Sequence, residues 1–395
     1  MFSKRFASLA FHEIGRILND DALYQTISAC DYSDKDLKFN ASLMSKWNWQ
    51  KNRKITSMTW FFPGFSRDFA GSKNILMLAS FFMSKGIKQQ FVIVGPRKVS
   101  EYCMQGIKNG KFGWNFRGIK MYINPNLEEV DYTDVTIATR WDTAYPVLKF
   151  RNTAGKYYFI QDDERLLYPA GDLQALAELT YKFGFVGITN SLELKHMYEE
   201  EFGGKAAYFF PSPNTIYKPI RSSPNKKIRK IWFYARTRSD RNGFHLGMMA
   251  LKEIKKRHPD VEIFLSGEAS KKAKPFMYND LGVLKTLGDL ARLYAECDVG
   301  LYLVFSRHTG VIPFDLMASG CISLTNSRPY RVYKLNDRKN CLMCDPTPTG
   351  IADAFDALYY DLKLRKTLVA NGFKTVRRRT IEQELEGVYN YMLHK

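Results

Sequence analysis

The residues with the clearest chemical potential are 306–320, which read Ser-Arg-His-Thr-Gly-Val-Ile-Pro-Phe-Asp-Leu-Met-Ala-Ser-Gly. A loop with glycine, proline, hydroxyls and an imidazole is followed by one acid, Asp315, on the first turn of a predicted short helix. Loop amides and a helix N-terminus can face phosphate, and a carboxylate can accept hydrogen bonds from ribose or sugar hydroxyls. These residue types therefore predict a site for a nucleotide-sugar.

The elements around this stretch are those needed to position it. An apolar strand over residues 299–305 leads into the loop, and a second apolar strand begins at residue 321, directly after Ser319-Gly320 ends the helix. Strand, loop, helix and strand in this order predict a parallel α/β unit, in which the loop lies at the carboxyl end of the first strand.

Residues 306–320 resemble the donor-site signature of retaining glycosyltransferases of family 4, which have the two-domain GT-B fold. The usual form is Glu, seven residues, Glu, then Ala-Met-Ala-x-Gly. Asp315 stands at the second acid, and Arg307 occupies the place of the first. The Ser-x-His of this loop is similar to a subset of bacterial rhamnosyltransferases that build surface glycans. The resemblance implies donor binding by Ser306, His308, Thr309, Gly310 and Asp315.

The same resemblance extends to the loop after the predicted strand 231–234. In the family this loop carries Gly-Arg and a second basic residue five positions on, and both cations hold the donor diphosphate. Arg236 and Arg241 stand at these positions, with Ala235 in place of the glycine. Two guanidiniums can bind a diphosphate through charge-assisted hydrogen bonds without a metal, and can stabilise it as a leaving group. The alternative is a solvated basic turn, which suits Arg238 better.

The first half opens with a predicted βαβ unit. Its strand covers residues 55–62, its helix residues 73–85 with Ser72 as the N-cap, and its second strand residues 90–95. In the resembled family the first loop lies under the donor phosphates and the acceptor, which makes Gly64 a donor-side candidate. A plain tight turn is the alternative explanation for this glycine.

Two further strand ends resemble the rhamnosyltransferase subset, through a Trp-x-Thr-Ala-Tyr loop and a Phe-Ile-Gln-Asp strand end. Trp141 in the first offers a platform for a sugar face, and Asp162 in the second can bind acceptor hydroxyls. The alternative is a core tryptophan beside a cluster of solvated acids. We favour this alternative for Asp163 and Glu164, and both explanations stay open for Asp162.

Length and resemblance together predict the domain organisation. A chain of 395 residues suggests two domains, and residues 219–224 are the clearest linker. The resemblance implies an α/β GT-B fold, with two Rossmann-like domains facing each other across a cleft and a C-terminal helix crossing back. We expect an acceptor-side domain over residues 1–220, a nucleotide-sugar domain over 221–372, and the returning helix over 373–395.

The chain is strongly basic, with a net charge of +19 and a pI near 9.5, and so requires a polyanionic neighbour. It has no apolar run of about 18–20 residues, no convincing signal peptide and no recognised nucleic-acid-binding module. We therefore expect a cytoplasmic protein, peripheral at the inner face of the plasma membrane, where lipid-diphosphate-linked acceptors reside. An imperfect apolar helix face over residues 2–18 either docks on the membrane or packs on its own domain.

The resemblance implies a retaining, metal-independent enzyme without a cofactor, which moves rhamnose from dTDP-rhamnose to a glycan or lipid-linked glycan. The leaving diphosphate takes the acceptor proton, so no protein base is required. In the broad family the first acid contacts hydroxyls of the donor sugar. Its replacement by Arg307 would affect a deoxy sugar less than other sugars, and His308 is the expected replacement contact. The alternatives are a UDP- or GDP-sugar donor and a noncatalytic GT-B partner protein, which the lost acid keeps open.

Overall fold

The computed structural model describes residues 30–50, 53–65, 70–237, 239–267, 276–377 and 380–394. The chain divides into two compact units, one containing the residues up to Phe209 together with those from Leu385 onward, the other running from Phe210 to Glu384. Within the described ranges, no helix is both long and apolar enough to span a membrane. The apolar face predicted over residues 2–18 lies outside them.

The first unit is built on a seven-stranded parallel sheet in the order β3-β2-β1-β4-β5-β6-β7. Its strands are β1 (Ser57–Pro63), β2 (Lys88–Val94), β3 (Lys120–Ile123), β4 (Thr133–Ala138), β5 (Thr153–Ile160), β6 (Val186–Thr189) and β7 (Lys205–Tyr208). Its helices are α1 (Asp34–Trp49), α2 (Ala70–Ser84), α3 (Arg97–Lys108), α4 (Trp141–Lys149), α5 (Asp172–Thr180) and α6 (Leu192–Phe202). The central strands are buried along their length, as expected for a parallel sheet covered on both faces.

The second unit repeats this plan with a six-stranded parallel sheet in the order β10-β9-β8-β11-β12-β13. Its strands are β8 (Lys230–Tyr234), β9 (Glu262–Ser266), β10 (Asn279–Asp280), β11 (Val299–Tyr302), β12 (Ile322–Asn326) and β13 (Leu342–Cys344). Its helices are α7 (Phe244–Arg257), α8 (Leu287–Glu296), α9 (Ile312–Ala318), α10 (Pro348–Tyr360) and α11 (Leu362–Val376).

Each sheet has a topological switch point. In the first unit the strand order grows from β1 towards β3 and then resumes at β4 on the other side of β1. In the second, the order grows from β8 towards β10 and resumes at β11. Ligands of open α/β sheets bind outside the carboxyl ends of the strands at such points. The loops after β1, β4, β8 and β11 are therefore the positions of interest.

The final helix, α12 (Ile381–Met392), carries the chain back to the first unit. The Arg53 amide donates to the Leu393 carbonyl at 3.1 Å, and the Arg53 guanidinium donates to the Met392 carbonyl at 3.4 Å. Lys85 and Glu386 form an ion pair at 2.5 Å. These contacts attach the final helix to the first unit.

Two local features differ from the sequence prediction. The helix expected to start after a Ser72 cap begins at Ala70, so Ser72 lies inside the helix, where it is buried. Residues 210–220 and 373–384 pack with the second unit. The ring contacts of Phe210 with Phe314 and of Tyr217 with Tyr294 hold the first of these segments there.

Replacement of Gly155 by alanine is expected to destabilise the first unit by about 1–3 kcal/mol through overpacking. A β-carbon at Gly155 would clash with the indole of Trp47, which packs α1 against β5. Chemical denaturation measures the effect. Gly387→Ala is the matched control, because a β-carbon there meets nothing within 4 Å and alanine favours the helix. Equal stability of the two variants would contradict the prediction.

Candidate functional site

Two loops meet at the switch point of the second sheet. The arginine loop, residues 235–243, follows β8, and the histidine loop, residues 303–311, follows β11. Because β8 and β11 pair in parallel, both loops leave the same edge of the sheet. The Phe305 amide donates to the Arg241 carbonyl at 2.8 Å and joins the loops directly. The predicted cations, hydroxyls and imidazole thus lie on two joined loops of one unit, and the helix that carries the predicted acid follows the second loop.

The arginine loop presents its two predicted cations differently. Arg236 is exposed and makes no hydrogen bond or ion pair with the described chain. Arg241 is half-buried in a 3-10 turn, Asp240–Asn242. Gly243 ends this turn with φ +58°, and a β-carbon there would lie 2.9 Å from the Phe305 ring. Glycine is therefore required for the close approach of the two loops.

The histidine loop is held from the side of β12 by two residues that sequence reasoning missed. The Asn326 side chain accepts from the Val304 amide at 2.8 Å and donates to the Val304 carbonyl at 3.1 Å. The Arg328 guanidinium donates to the carbonyls of Ser306 and His308, both at 3.4 Å. Their position at the end of the strand beside the loop was the only available signal.

Within the histidine loop, the predicted residues are packed into a defined turn. The Ser306 and Thr309 side chains are buried, and the His308 amide donates to Ser306 Oγ at 3.3 Å. Gly310 has φ +78°, and a β-carbon there would lie 2.7 Å from the Tyr302 hydroxyl. The turn therefore depends on glycine both for its backbone conformation and for space.

Asp315 is a buried acid, 7% exposed, on α9. Burial raises the pKa of its carboxyl well above the usual value, and no group of the described chain donates a hydrogen bond to it. Its charge also raises the pKa of Tyr217 and Tyr294, after the larger effect of burial on each phenol. Buried polar groups in proteins are normally paired, so this carboxyl is available to donors that the chain does not supply.

Arg307, at the position of the missing acid, is half-buried. Its guanidinium lies over the ring of Tyr330, 4.4 Å from the centroid. This stacking directs the cation towards the segment that follows β12.

In the first unit, Gly64 lies directly after β1 at the switch point. Its amide donates to the Val94 carbonyl at 2.9 Å, and a β-carbon would lie 2.9 Å from Ser100 Oγ and 3.0 Å from the Ser100 amide. Close packing against α3 therefore explains the glycine more fully than the tight turn expected as the alternative. Its role towards a donor stays a prediction.

Trp141 is only 1% exposed and belongs to the hydrophobic core, so its face is not open to a sugar. It lies at the start of α4, and its indole N–H donates to the Tyr168 hydroxyl at 3.0 Å. The prediction that Trp141 forms a surface platform for a sugar is therefore wrong. The alternative, a core tryptophan, is correct. The reason is tertiary, since the surrounding tyrosines enclose the ring.

The acids after β5 are not the solvated cluster that we favoured for Asp163 and Glu164. Asp163 is buried and pairs with Arg165 at 2.8 Å. Glu164 is also buried and accepts hydrogen bonds from the Trp141 amide and the Tyr158 hydroxyl. Burial is the main cause that raises its pKa to about 8. Asp162 is half-buried and accepts from the Asp163 amide at 2.9 Å, so its acceptor role stays a prediction.

The structure therefore brings most of the predicted residues together within the second unit. They are Arg236, Arg241, Ser306, His308, Thr309, Gly310 and Asp315. Gly64, Trp141 and Asp162 lie at the carboxyl ends of β1, β4 and β5 in the first unit. Of these three, the tryptophan is enclosed in the core.

Comparison with known proteins finds one matching family and one similar protein. A family described as the C-terminal domain of WsaF matches residues 229–356, which include both loops of the second unit. The O-antigen biosynthesis protein RfbC of Myxococcus xanthus is 32% identical over 354 residues, a match that covers 86% of this chain and 27% of RfbC. The chain thus spans about a quarter of the length of this relative.

Solved structures of other proteins share the fold of this chain. Anabaena HepE in complex with UDP-glucose has a TM-score of 0.65 at 14% identity, covering 85% of this chain and 99% of HepE. Sucrose-phosphate synthase from Thermosynechococcus elongatus has a TM-score of 0.62 at 11% identity, with coverage of 85% and 99%. At such identities the likeness establishes the fold, and the predicted α/β GT-B fold class is confirmed.

Replacement of Glu164 by glutamine is expected to flatten the pH dependence of stability between about pH 4.5 and 8. The folded protein holds a proton on Glu164 that the unfolded chain releases above pH 4.5, so the free energy of unfolding falls as pH rises through this window. The slope is on the order of 1 kcal/mol per pH unit. Glutamine keeps an acceptor for the Trp141 amide.

Urea denaturation at several pH values measures the effect, with Glu128→Gln on an exposed turn as the control. Parallel pH profiles for wild type and Glu164→Gln would contradict the assignment.

Proposed function

We propose that the chain is a glycosyltransferase that moves a sugar from a nucleoside diphosphate sugar to a glycan acceptor in O-antigen or related surface-glycan assembly. The fold, the description of RfbC and the family match across both site loops support this function. The observation that carries it is the meeting of the arginine and histidine loops at the switch point, joined by the hydrogen bond from Phe305 to Arg241.

The chemistry follows from the groups at this sheet edge. Arg236 and Arg241 bind the donor diphosphate, and their positive charge stabilises it as the bond to the anomeric carbon breaks. Asp315 accepts hydrogen bonds from hydroxyls of the donor, which satisfy a carboxyl that the described chain leaves without a donor. The two guanidiniums supply the charge that a metal provides in other transferases.

Retention of configuration is part of the proposal. The acceptor hydroxyl approaches the anomeric carbon on the face that the diphosphate leaves, and a diphosphate oxygen takes the hydroxyl proton. One glycosidic bond forms as the bond to the diphosphate breaks, so no protein base is needed. The support is the resemblance of residues 306–320 to retaining enzymes of family 4.

For the donor we propose dTDP-rhamnose, supported by the Ser306-x-His308 pattern and by Arg307, which stacks on Tyr330 where the broad family has an acid. A UDP-sugar is the competing donor, because HepE binds UDP-glucose. The proposed acceptor is a glycan on a lipid diphosphate, reached by peripheral contact with an anionic membrane, with Asp162 as a candidate acceptor contact.

A nucleoside diphosphate is expected to raise the Tm of the chain, because it binds the folded state alone. The panel is dTDP, UDP, GDP and ADP. Arg236→Ala removes one charge-assisted contact and is expected to weaken binding about 10- to 100-fold. Arg292→Ala, an exposed arginine on α8, is the matched control and keeps wild-type binding.

The outcomes separate the candidate functions. Selective stabilisation by dTDP supports the rhamnose donor, and preference for UDP or GDP keeps the enzyme but replaces that donor. No shift with any of the four nucleotides would favour the noncatalytic GT-B partner.

Replacement of Asp315 by asparagine is expected to weaken nucleotide-sugar binding while leaving the free protein as stable as wild type, or more stable. The folded pKa of Asp315 lies above the unfolded value of about 3.9, so wild-type stability falls as pH rises above this value. The advantage of Asp315→Asn therefore grows from pH 5 to pH 8. Thermal unfolding with and without donor measures both effects. A large loss of Tm at pH 8 without ligand would show that the carboxylate is a structural partner.

A further inference from the structure

The basic loop, residues 328–339, follows β12 at the same sheet edge as the candidate site. It carries five cations and a single acid, Asp337. The carboxylate of that acid accepts from the Met343 amide at 2.8 Å. The proposed transfer chemistry uses none of these cations, so their concentration at this edge requires a separate explanation.

The basic loop has a fixed shape. The Asn340 side chain accepts from the Asn336 amide at 2.7 Å and donates to the Lys334 carbonyl at 2.7 Å. Lys334 and Arg338 hold φ values of +67° and +56°, in the left-handed region that residues with a β-carbon rarely adopt. Backbone strain of this kind persists only where surrounding contacts hold it, so the cations are presented by an ordered loop.

A neighbouring helix extends the positive charge. Asn371 on α11 donates to the Lys339 carbonyl at 2.9 Å, and Asn340 donates to Thr375 Oγ1 at 2.9 Å. These bonds pack the loop against the end of α11 that carries two further cations. We define the basic surface as Arg331, Lys334, Arg338, Lys339, Lys374 and Arg377.

All six side chains of the basic surface are exposed, and none forms an ion pair with any described residue. Exposed cations elsewhere in the chain often pair with acids, for example Lys227 with Asp260 at 2.7 Å. Three of the six instead lie over aromatic rings, namely Arg331 over Tyr333 at 4.8 Å, Lys334 over Phe210 at 4.8 Å and Arg377 over Phe373 at 5.0 Å. Their charge is therefore left to an external anion.

We propose that the basic surface docks the chain on anionic phospholipid headgroups. Its cations are distributed along a loop and a helix end instead of converging on one pocket, which suits an extended anionic surface better than a single small ligand. Tyr330 and Tyr333 lie between the cations, and tyrosine is favoured where one side is apolar and the other wet. Electrostatic attraction to such a surface adds with each basic residue.

The inference rests on the proposed function in one respect. Arg328, in the same loop, donates to the carbonyls of Ser306 and His308, so the docking surface adjoins the histidine loop. Docking there brings the proposed donor site to a membrane that presents a lipid-linked acceptor.

The test is sedimentation of the full chain with vesicles of phosphatidylglycerol and phosphatidylcholine, compared with phosphatidylcholine alone, at low and high salt. The loop variant is Arg331→Gln, Lys334→Asn, Arg338→Asn and Lys339→Gln. Asparagine is chosen at positions 334 and 338 because it tolerates the left-handed conformation there. Each cation contributes about fivefold in affinity, so binding to anionic vesicles is expected to fall at least about 100-fold.

The matched control is Lys252→Gln, Lys256→Gln, Lys363→Gln and Lys366→Gln, which removes the same charge from exposed positions on α7 and α11. It is expected to keep binding close to wild type. An equal loss in both variants, or no loss in the loop variant, overturns the docking surface. Tighter wild-type binding to a short DNA duplex than to anionic vesicles also overturns it.

The nucleotide thermal shift keeps the two proposals apart. The loop variant must retain the wild-type Tm and nucleotide response, which shows that it is folded with its donor site intact. Lipid-dependent binding without any nucleotide response would leave the docking surface in place and refute the proposed function. A nucleotide response without lipid binding would support the proposed function and refute the docking surface.

Discussion

One backbone hydrogen bond, from the Phe305 amide to the Arg241 carbonyl, joins the two loops on which the candidate site depends. It forms because β8 and β11 are paired in parallel across the switch point, and because Gly243 leaves no β-carbon between the loops. Asn326 and Arg328 then hold the histidine loop from the side of β12. The site is therefore a consequence of strand order, and the side chains that give it chemistry are carried by loops that the sheet holds in place.

Two buried acids, Glu164 and Asp315, differ in how the described chain satisfies them. Glu164 is enclosed but receives hydrogen bonds from the Trp141 amide and the Tyr158 hydroxyl, so it stabilises the start of α4. Asp315 is buried, and its carboxyl receives no hydrogen bond from a described residue. Arg236 is exposed and forms no ion pair with a described acid. A group that is poorly satisfied in the free protein costs stability, and such costs are typical of positions kept for ligands. This difference separates the candidate site from structural polar clusters.

The sequence predicted the positions of the strand ends better than it predicted burial. The strand predicted over residues 231–234 forms as Lys230–Tyr234, because its apolar run marks it locally. Trp141 could not be assigned in the same way, since its enclosure depends on Tyr168, which lies beyond β5, as well as on Tyr145 of its own helix. Asn326 and Arg328 act through tertiary hydrogen bonds that leave no periodic pattern. The α/β class followed from the local order of strands and helices, the GT-B assignment from the resemblance, and the fine structure of the site from long-range packing.

The return of α12 has a consequence for biosynthesis. All of the second unit, Phe210–Glu384, is contiguous, so a ribosome releases it before residues 385–394. Until then Arg53 lacks its carbonyl partners Met392 and Leu393, and the ring of Phe82 lacks its contact with Tyr389. The first unit is therefore completed only after the second unit has been synthesised. Until α12 docks, the surface of the first unit that binds this helix stays accessible to chaperones, while the second unit can already fold.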